Sequence, residues 1–143
     1  MATRNASAQW AGNLQEGSGT MSLGSGAFEG PYSFKSRFEE GAGTNPEELV
    51  GAAHAGCFTM ALSLALSQDG TPPESLHTDA SVHLRQVDGL PTITQIDLVT
   101  RGSVPGIDEE TFKAAAAAAK EGCIVSRALA GVGEITVEAS LES

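Results

Sequence analysis

Residues 43–70, GTNPEELVGAAHAGCFTMALSLALSQDG, decide the fold of this chain of 143 residues. Asn45 is a good N-cap, and Pro46 suits the first helical position because its missing N–H group costs nothing there. Glu48 lies three residues after the cap, where a glutamate completes a capping box. The sequence therefore predicts that a helix begins at Pro46.

This helix is apolar on almost every side. Residues 49–66 include only three polar side chains, those of His54, Thr59 and Ser63. Such a helix is normally buried on most of its faces. A membrane span is the alternative, but small residues and His54 make the segment weakly hydrophobic, and its flanks lack basic anchors. We expect a core helix whose small residues let another helix approach closely, including the same helix of a second chain.

Strand signals lie on both sides of this helix. Residues 6–38 predict a three-stranded meander, because short β-prone runs alternate with glycine clusters. Residues 76–88 and 90–104 predict a hairpin, since Asp88-Gly89 favours a two-residue turn. One buried face of this hairpin is expected to carry the apolar side chains Val82, Leu84, Ile93, Ile96 and Leu98.

Two further helices and a strand complete the predicted order. Asp108 is the expected N-cap of a second helix over 107–122, with acidic residues in its first turn and Lys120 in its last. Cys123 opens a short helical stretch, and the alternating run 134–142 predicts a final strand. Because strands and helices are grouped and do not alternate strictly, the fold class is α+β.

Composition limits the possible functions. The length fits one domain, 1–143, and the apolar fraction of 41% can fill a core. The net charge of −10 is spread along the chain, so nucleic acids and anionic membranes are not expected partners. The first ten residues, MATRNASAQW, contain no apolar stretch of signal-peptide length, so we expect a cytoplasmic protein.

Two separate cysteines are the main candidates for chemistry. Cys57 within an apolar helix is usually inert, unless a cation such as His54 or Arg37 stabilises its thiolate. Cys123 follows a glycine at a predicted helix N-terminus, which favours a thiolate. Glu47 lies in the first turn of the long helix, where a carboxylate interacts favourably with the helix dipole whether or not it has a role in a site. These residues leave open whether the cysteines are a redox pair or two core residues.

Other kinds of site are poorly supported. Gly24-Ser25-Gly26 lies between candidate strands and not before a helix, so we expect no nucleotide cofactor there. His54 and Cys57 have metal-like spacing, and His77 and His83 share a strand face, but the further ligands of a zinc site are missing. The sequence predicts neither a metal centre nor a bound cofactor.

Four segments carry a specific resemblance that runs over essentially the whole chain. The sequence resembles the OsmC/Ohr family of osmotically inducible and organic hydroperoxide resistance proteins, and its OsmC branch in particular. The segments that carry this resemblance are YSFKSRFEEG (32–41), TNPEELVGAAHAGCFTMALSLAL (44–66), VPGID (104–108) and EGCIVS (121–126).

The resemblance implies an OsmC-like fold, an intertwined homodimer and a two-cysteine peroxidase acting on organic hydroperoxides. It assigns Cys57 as the peroxidatic cysteine and Cys123 as the resolving one. Arg37 corresponds to the family arginine and Glu47 to the glutamate that holds it. An external dithiol, from a lipoyl protein or a thioredoxin-like donor, would reduce the disulfide. Ile124 departs from the family pattern, which commonly has proline after the second cysteine.

Two other classes of function fit the same residues. A redox sensor or binding protein for a small apolar ligand would use the buried pocket without turning over. A purely structural stress protein would keep both thiols unreactive toward peroxide.

The apolar residues Phe58, Met60 and Leu62 next to Cys57 in sequence favour bulky organic hydroperoxides as substrates of the peroxidase.

Overall fold

A computed structural model describes residues 2–142, in two compact units that meet between residues 49 and 50 of the chain. The first unit contains a three-stranded antiparallel sheet, one short helix and the first turn of the long helix. Its elements are β1 (Ala6–Ala11), β2 (Ser18–Leu23), β3 (Glu29–Tyr32), α1 (Phe34–Phe38) and the start of α2 (Pro46–Gln68). The single domain suggested by the chain length stays a prediction.

The predicted meander is confirmed in its strand count but ends earlier than expected. The strands follow the order β1-β2-β3, and β3 stops at Tyr32. The next residues form helix α1, because Ser33 and Ser36 make a reciprocal capping box. The Ser36 N–H donates to Ser33 Oγ at 3.1 Å, and the Ser33 N–H donates to Ser36 Oγ at 2.8 Å. Arg37 therefore lies on a helix and not on a strand.

The predicted start of α2 is confirmed. The Glu48 N–H donates to Asn45 Oδ1 at 2.7 Å, so Asn45 caps the helix. The carboxylate of Glu48 does not complete the capping box, because it accepts a hydrogen bond from Thr44 Oγ1 at 2.7 Å. The Glu48 half of the expected capping box is therefore replaced by a hydrogen bond from Thr44, the residue before the cap.

The second unit contains the rest of α2 and a mixed three-stranded sheet. Its other elements are β4 (Ser75–Val87), β5 (Leu90–Ser103), α3 (Glu109–Gly122), α4 (Ile124–Ala128) and β6 (Glu134–Leu141). The strand order is β4-β5-β6, with β4 antiparallel and β6 parallel to β5. The predicted cap of α3 is confirmed, because the Thr111 N–H donates to Asp108 Oδ1 at 2.8 Å. The mixed order of elements confirms the α+β class.

The β4–β5 hairpin contains a bulge that the sequence pattern did not reveal. Asp88 and Gly89 form the turn with φ angles of 52° and 79°, as an Asp-Gly hairpin turn requires. The register shifts by one residue after the pair of His83 with Gln95. This shift lets Ile93 pack against the same core as Ile96, although an odd spacing normally places two residues on opposite faces.

Helix α2 contributes one face to the core of the second unit. Phe58, Leu62 and Leu66 are fully buried there, together with residues of β5 and α3. The opposite face is open, with Met60 76% and Leu64 59% exposed. The expectation that the helix is buried on most sides is therefore wrong for a single chain. Its length and mean hydropathy of 1.7 also fit a membrane span, but its Phe58–Leu66 face packs in the core.

Candidate active site

Cys57 lies on α2 beside the buried face of the helix. Its side chain is half-buried and packs against the core of the second unit. The residue is a free thiol. Cys57 is therefore partly accessible to solvent. Its apolar neighbours in sequence had suggested a fully buried core cysteine.

Cys123 joins α3 to α4 and caps both helices. Its N–H donates to the Ala119 carbonyl at 2.9 Å, and its sulfur accepts from the Ser126 N–H at 3.5 Å. The thiol is free and only 1% exposed. The predicted place at a helix N-terminus is confirmed. Ile124, where the family commonly has proline, is the first residue of α4 and is exposed.

The two thiols interact, and their pKa values move in opposite directions. Burial raises the pKa of Cys57; the N–H groups of Val125 and Ile124 oppose this, and the Cys123 thiol adds to it. Burial also raises the pKa of Cys123, but hydrogen bonds from Ser126, Cys57 and Val125 outweigh it and lower this pKa. Backbone N–H groups of the first turn of α4 therefore lower the pKa of both thiols, and the net lowering at Cys123 favours its thiolate.

Arg37 and Glu47 form a bidentate ion pair in the first unit. Arg37 Nε donates to Glu47 Oε1 at 3.0 Å, and Arg37 Nη2 donates to Glu47 Oε2 at 2.9 Å. The bond to Glu47 raises the pKa of Arg37. The Glu47 side chain is only 12% exposed. It is therefore not simply a surface charge that interacts with the helix dipole. The pair fixes the direction of the guanidinium group.

Hydrogen bonds between α1 and the start of α2 support this ion pair. Ser36 Oγ donates to the Thr44 carbonyl at 2.7 Å, and Asn45 Nδ2 donates to the Ser36 carbonyl at 2.9 Å. Both Ser36 and Thr44 are buried. The helix that carries Arg37 is thus tied to the cap of the helix that carries Glu47.

A surface pocket of about 370 Å³ in the first unit borders Arg37. Aromatic side chains line much of it, and the ring centroids of Trp10 and Tyr32 lie 5.2 Å apart in an edge-to-face arrangement. The pocket is lined by Trp10, Gly12, Leu14, Tyr32, Ser33, Phe34 and Arg37. Apart from Arg37, sequence reasoning missed these residues, because they come together only when the meander and α1 have formed.

His54 is fully buried and cannot serve as the cation suggested by its spacing from Cys57. Burial lowers its pKa, so the ring is neutral. Its Nε2 atom lies 2.7 Å from Ser126 Oγ on α4. His54 therefore connects the helix that carries Cys57 with the helix that Cys123 caps.

The other two histidines pair with aspartates. His77 lies 3.0 Å from Asp79, and His83 lies 2.8 Å from Asp97. Hydrogen bonds from Thr136, Gln95 and His83 lower the pKa of Asp97 to about 2. Within residues 2–142, no three His, Cys, Asp or Glu side chains are grouped as metal ligands.

The apolar neighbours of Cys57 in sequence lie on different faces of α2. Phe58 and Leu62 are fully buried in the core, and Met60 is 76% exposed on the open face of α2. The helical repeat sends adjacent residues in different directions, so proximity in sequence does not make a pocket.

Sequence comparison places the chain among known proteins. Residues 39–138 match the family model described as OsmC-like protein. The chain is 49% identical to peroxiredoxin OsmC of Escherichia coli K12, over 95% of this chain and 94% of the relative. It is 34% identical to an organic hydroperoxide resistance protein of Xanthomonas axonopodis pv. citri, over 68% of this chain and 67% of the relative.

Solved structures show the same fold. An OsmC-like protein of unknown function from Vibrio cholerae matches with a TM-score of 0.75 at 17% identity, covering 97% of this chain and 99% of that one. The organic hydroperoxide resistance protein OhrB of Bacillus subtilis matches with a TM-score of 0.69 at 24% identity, covering 96% and 98%. With the family match over residues 39–138 and the close sequence likeness, the chain belongs to the OsmC family.

Proposed function

We propose that this protein is a thiol peroxidase that reduces organic hydroperoxides to alcohols and acts in the cytoplasm in oxidative and osmotic stress defence. The observation that carries the proposal is that the chain has two free thiols, Cys57 and Cys123, each of which alters the pKa of the other. The names of the relatives, a peroxiredoxin and an organic hydroperoxide resistance protein, support the same activity.

The reaction begins at Cys57. Its thiolate attacks the terminal peroxide oxygen, an S–O bond forms as the O–O bond breaks, and the leaving alkoxide is protonated to the alcohol. Cys57 is then a sulfenic acid. The Cys123 thiolate attacks the Cys57 sulfur, so that an S–S bond forms, the S–O bond breaks, and the leaving hydroxide is protonated to water. An external dithiol reduces this disulfide and becomes a disulfide itself.

Arg37 supplies the positive charge that Cys57 needs. Burial raises the pKa of Cys57, so a cation is required to make its thiolate available at neutral pH. We assign this role to Arg37, which also holds a peroxide oxygen, and we assign Glu47 the role of orienting Arg37. The bidentate bond between the two side chains supports this assignment.

The pocket beside Arg37 supports organic substrates over hydrogen peroxide. Its aromatic rings offer an apolar surface to an alkyl or aryl group, and the guanidinium group offers donors to the peroxide oxygens. Hydrogen peroxide gains nothing from the apolar surface. The chemistry requires no bound cofactor, and the reductant is a dithiol of the lipoyl-protein or thioredoxin-like class.

The working form is proposed to be an intertwined homodimer, with each active site lined by both chains. The open face of α2 supports this, because it exposes Met60 and Leu64 beside small residues that permit close helix packing. A second copy of the same helix is the proposed occupant of that face.

Replacing Leu64 with aspartate is expected to weaken self-association by at least about a hundredfold, because a charge would be buried at the interface centre. Sedimentation velocity across a concentration series measures the change. Leu90→Asp is the control, since Leu90 is 68% exposed at the hairpin and is not part of α2. A wild type that sediments as a monomer, or a Leu64→Asp variant that associates normally, contradicts the dimer.

Replacing Cys123 with serine is expected to stop the cycle after one oxidation. Cys57 should still consume one equivalent of peroxide and form a sulfenic acid, but no internal thiol remains to capture it. Dimedone labelling followed by mass spectrometry detects the trapped sulfenic acid. Continued turnover at the wild-type rate would show that Cys123 is not the resolving cysteine.

A further inference from the structure

His54 is a buried polar residue that the proposed reaction does not use. It is fully buried, and its Nε2 atom lies 2.7 Å from Ser126 Oγ. Its Nδ1 atom is buried without a hydrogen-bond partner among the described residues. A buried polar atom in this state needs a physical reason, since most such atoms are paired.

The unpaired Nδ1 identifies the tautomer of His54. Burial lowers the pKa of the ring, so it is neutral and carries one N–H group. If Nδ1 carried the hydrogen, a buried donor would be left without an acceptor, which is rarer than an unpaired acceptor. The hydrogen therefore lies on Nε2, which donates to Ser126 Oγ.

This donation fixes the role of the Ser126 hydroxyl. With its oxygen occupied as an acceptor of the histidine hydrogen, the hydroxyl is free to donate its own hydrogen. The Ser126 N–H donates to the Cys123 sulfur at 3.5 Å, which places the first turn of α4 against that sulfur, and the Ser126 side chain helps to lower the pKa of Cys123. A chain of donors thus runs from His54 through Ser126 to Cys123.

We infer that His54 is a positioning residue for disulfide closure, which orients the Ser126 hydroxyl as a donor to the attacking Cys123 thiolate. The inference rests on the proposed peroxidase cycle and concerns only its second step. In that step the Cys123 thiolate displaces hydroxide from the Cys57 sulfenic acid, so a stabilised thiolate is present in a larger fraction at neutral pH. His54 acts through Ser126 and takes no chemical step of its own in the reaction.

Besides Ser126, the groups that lower the pKa of Cys123 are the thiol of Cys57, on α2, and the backbone of Val125, on α4. At the end of α3, Lys120 pairs with Glu121 at 3.4 Å and also donates to the Ile135 carbonyl at 3.2 Å.

The test compares His54→Met with His54→Gln. Methionine fills a similar volume without a donor, whereas the glutamine amide can still donate to Ser126 Oγ. In a Cys57→Ser background, thiolate absorbance against pH gives the pKa of Cys123 without any peroxide. We expect His54→Met to raise this pKa by about 1, which is roughly tenfold in thiolate fraction at neutral pH, and His54→Gln to leave it close to wild type.

The two-cysteine protein supplies the second readout. After rapid mixing with an organic hydroperoxide, sulfenic acid formation should keep its rate in both variants, and disulfide closure should slow about tenfold in His54→Met only. Ser126→Ala removes less volume and is expected to reproduce His54→Met. Equal Cys123 pKa values in all variants, or a His54→Gln variant as slow as His54→Met, would overturn the inference. If neither the wild type nor any variant forms sulfenic acid, but His54→Met still raises the pKa of Cys123, the result would contradict the proposed peroxidase activity and not the role of His54.

Discussion

Replacement of Cys57 by serine is expected to reduce peroxide consumption by at least about ten-thousandfold, because it removes the attacking sulfur and the remaining thiol, Cys123, is only 1% exposed. The serine hydroxyl is similar in size but is not ionised at neutral pH. Consumption of an organic hydroperoxide in the presence of excess dithiol measures the loss. Circular dichroism and thermal unfolding of the variant verify that the fold is retained.

The Cys123→Ser variant is the matched control for this experiment. It removes the other thiol of the proposed pair but leaves the first oxidation step in place. A peroxidase also turns over many equivalents of peroxide per chain when dithiol is present, whereas a redox sensor is oxidised once. Full activity in Cys57→Ser would refute the assignment of the nucleophile, and a single equivalent consumed by wild type would favour the sensor.

Replacement of Glu47 by alanine is expected to lower the rate of peroxide reduction by about a hundredfold, because misplacing a group that holds the reacting atoms costs this much. The loss has a physical origin in the bidentate bond at 3.0 and 2.9 Å, without which Arg37 has no fixed direction. Glu48→Ala is the matched control. Glu48 lies in the same helical turn but accepts a hydrogen bond from Thr44 and not from Arg37.

The pH dependence of the same variant separates orientation from general damage. Burial raises the pKa of Cys57, and the proposed Arg37 charge opposes this effect. If Arg37 is misplaced, the thiolate forms only at higher pH, so the rate profile of Glu47→Ala should shift upward in pH and regain activity in alkaline buffer. Arg37→Lys keeps the charge but loses the bidentate geometry, and it should lie between wild type and Glu47→Ala. An unchanged rate and profile in Glu47→Ala would contradict the pair's role.

Local signals predicted the helix caps and the hairpin turn. Asn45, Asp108 and the Asp88-Gly89 pair each act through neighbouring backbone groups, so their effect is visible in a few residues of sequence. Helix α1 was missed because the run YSFKSRF alternates like a strand. Its helical form depends on two serine side chains, Ser33 and Ser36, that cap the backbone reciprocally.

The candidate site was harder to predict from the sequence than the fold. Taken alone, the apolar surroundings of Cys57 predict an inert thiol, and burial does raise its pKa. The family motif was needed to single out Cys57, Arg37 and Glu47. The bond between His54 and Ser126 joins residues 72 positions apart, and it depends on how two helices pack. No local pattern encodes such a contact.

Mass spectrometry of the wild-type protein after one equivalent of an organic hydroperoxide tests the two-cysteine cycle most directly. The predicted product is a chain lighter by two hydrogen atoms, with a peptide cross-link between Cys57 and Cys123 that disappears when a dithiol is added. A stable oxygen adduct on Cys57 without the cross-link, or two unmodified thiols in the presence of remaining peroxide, would contradict it.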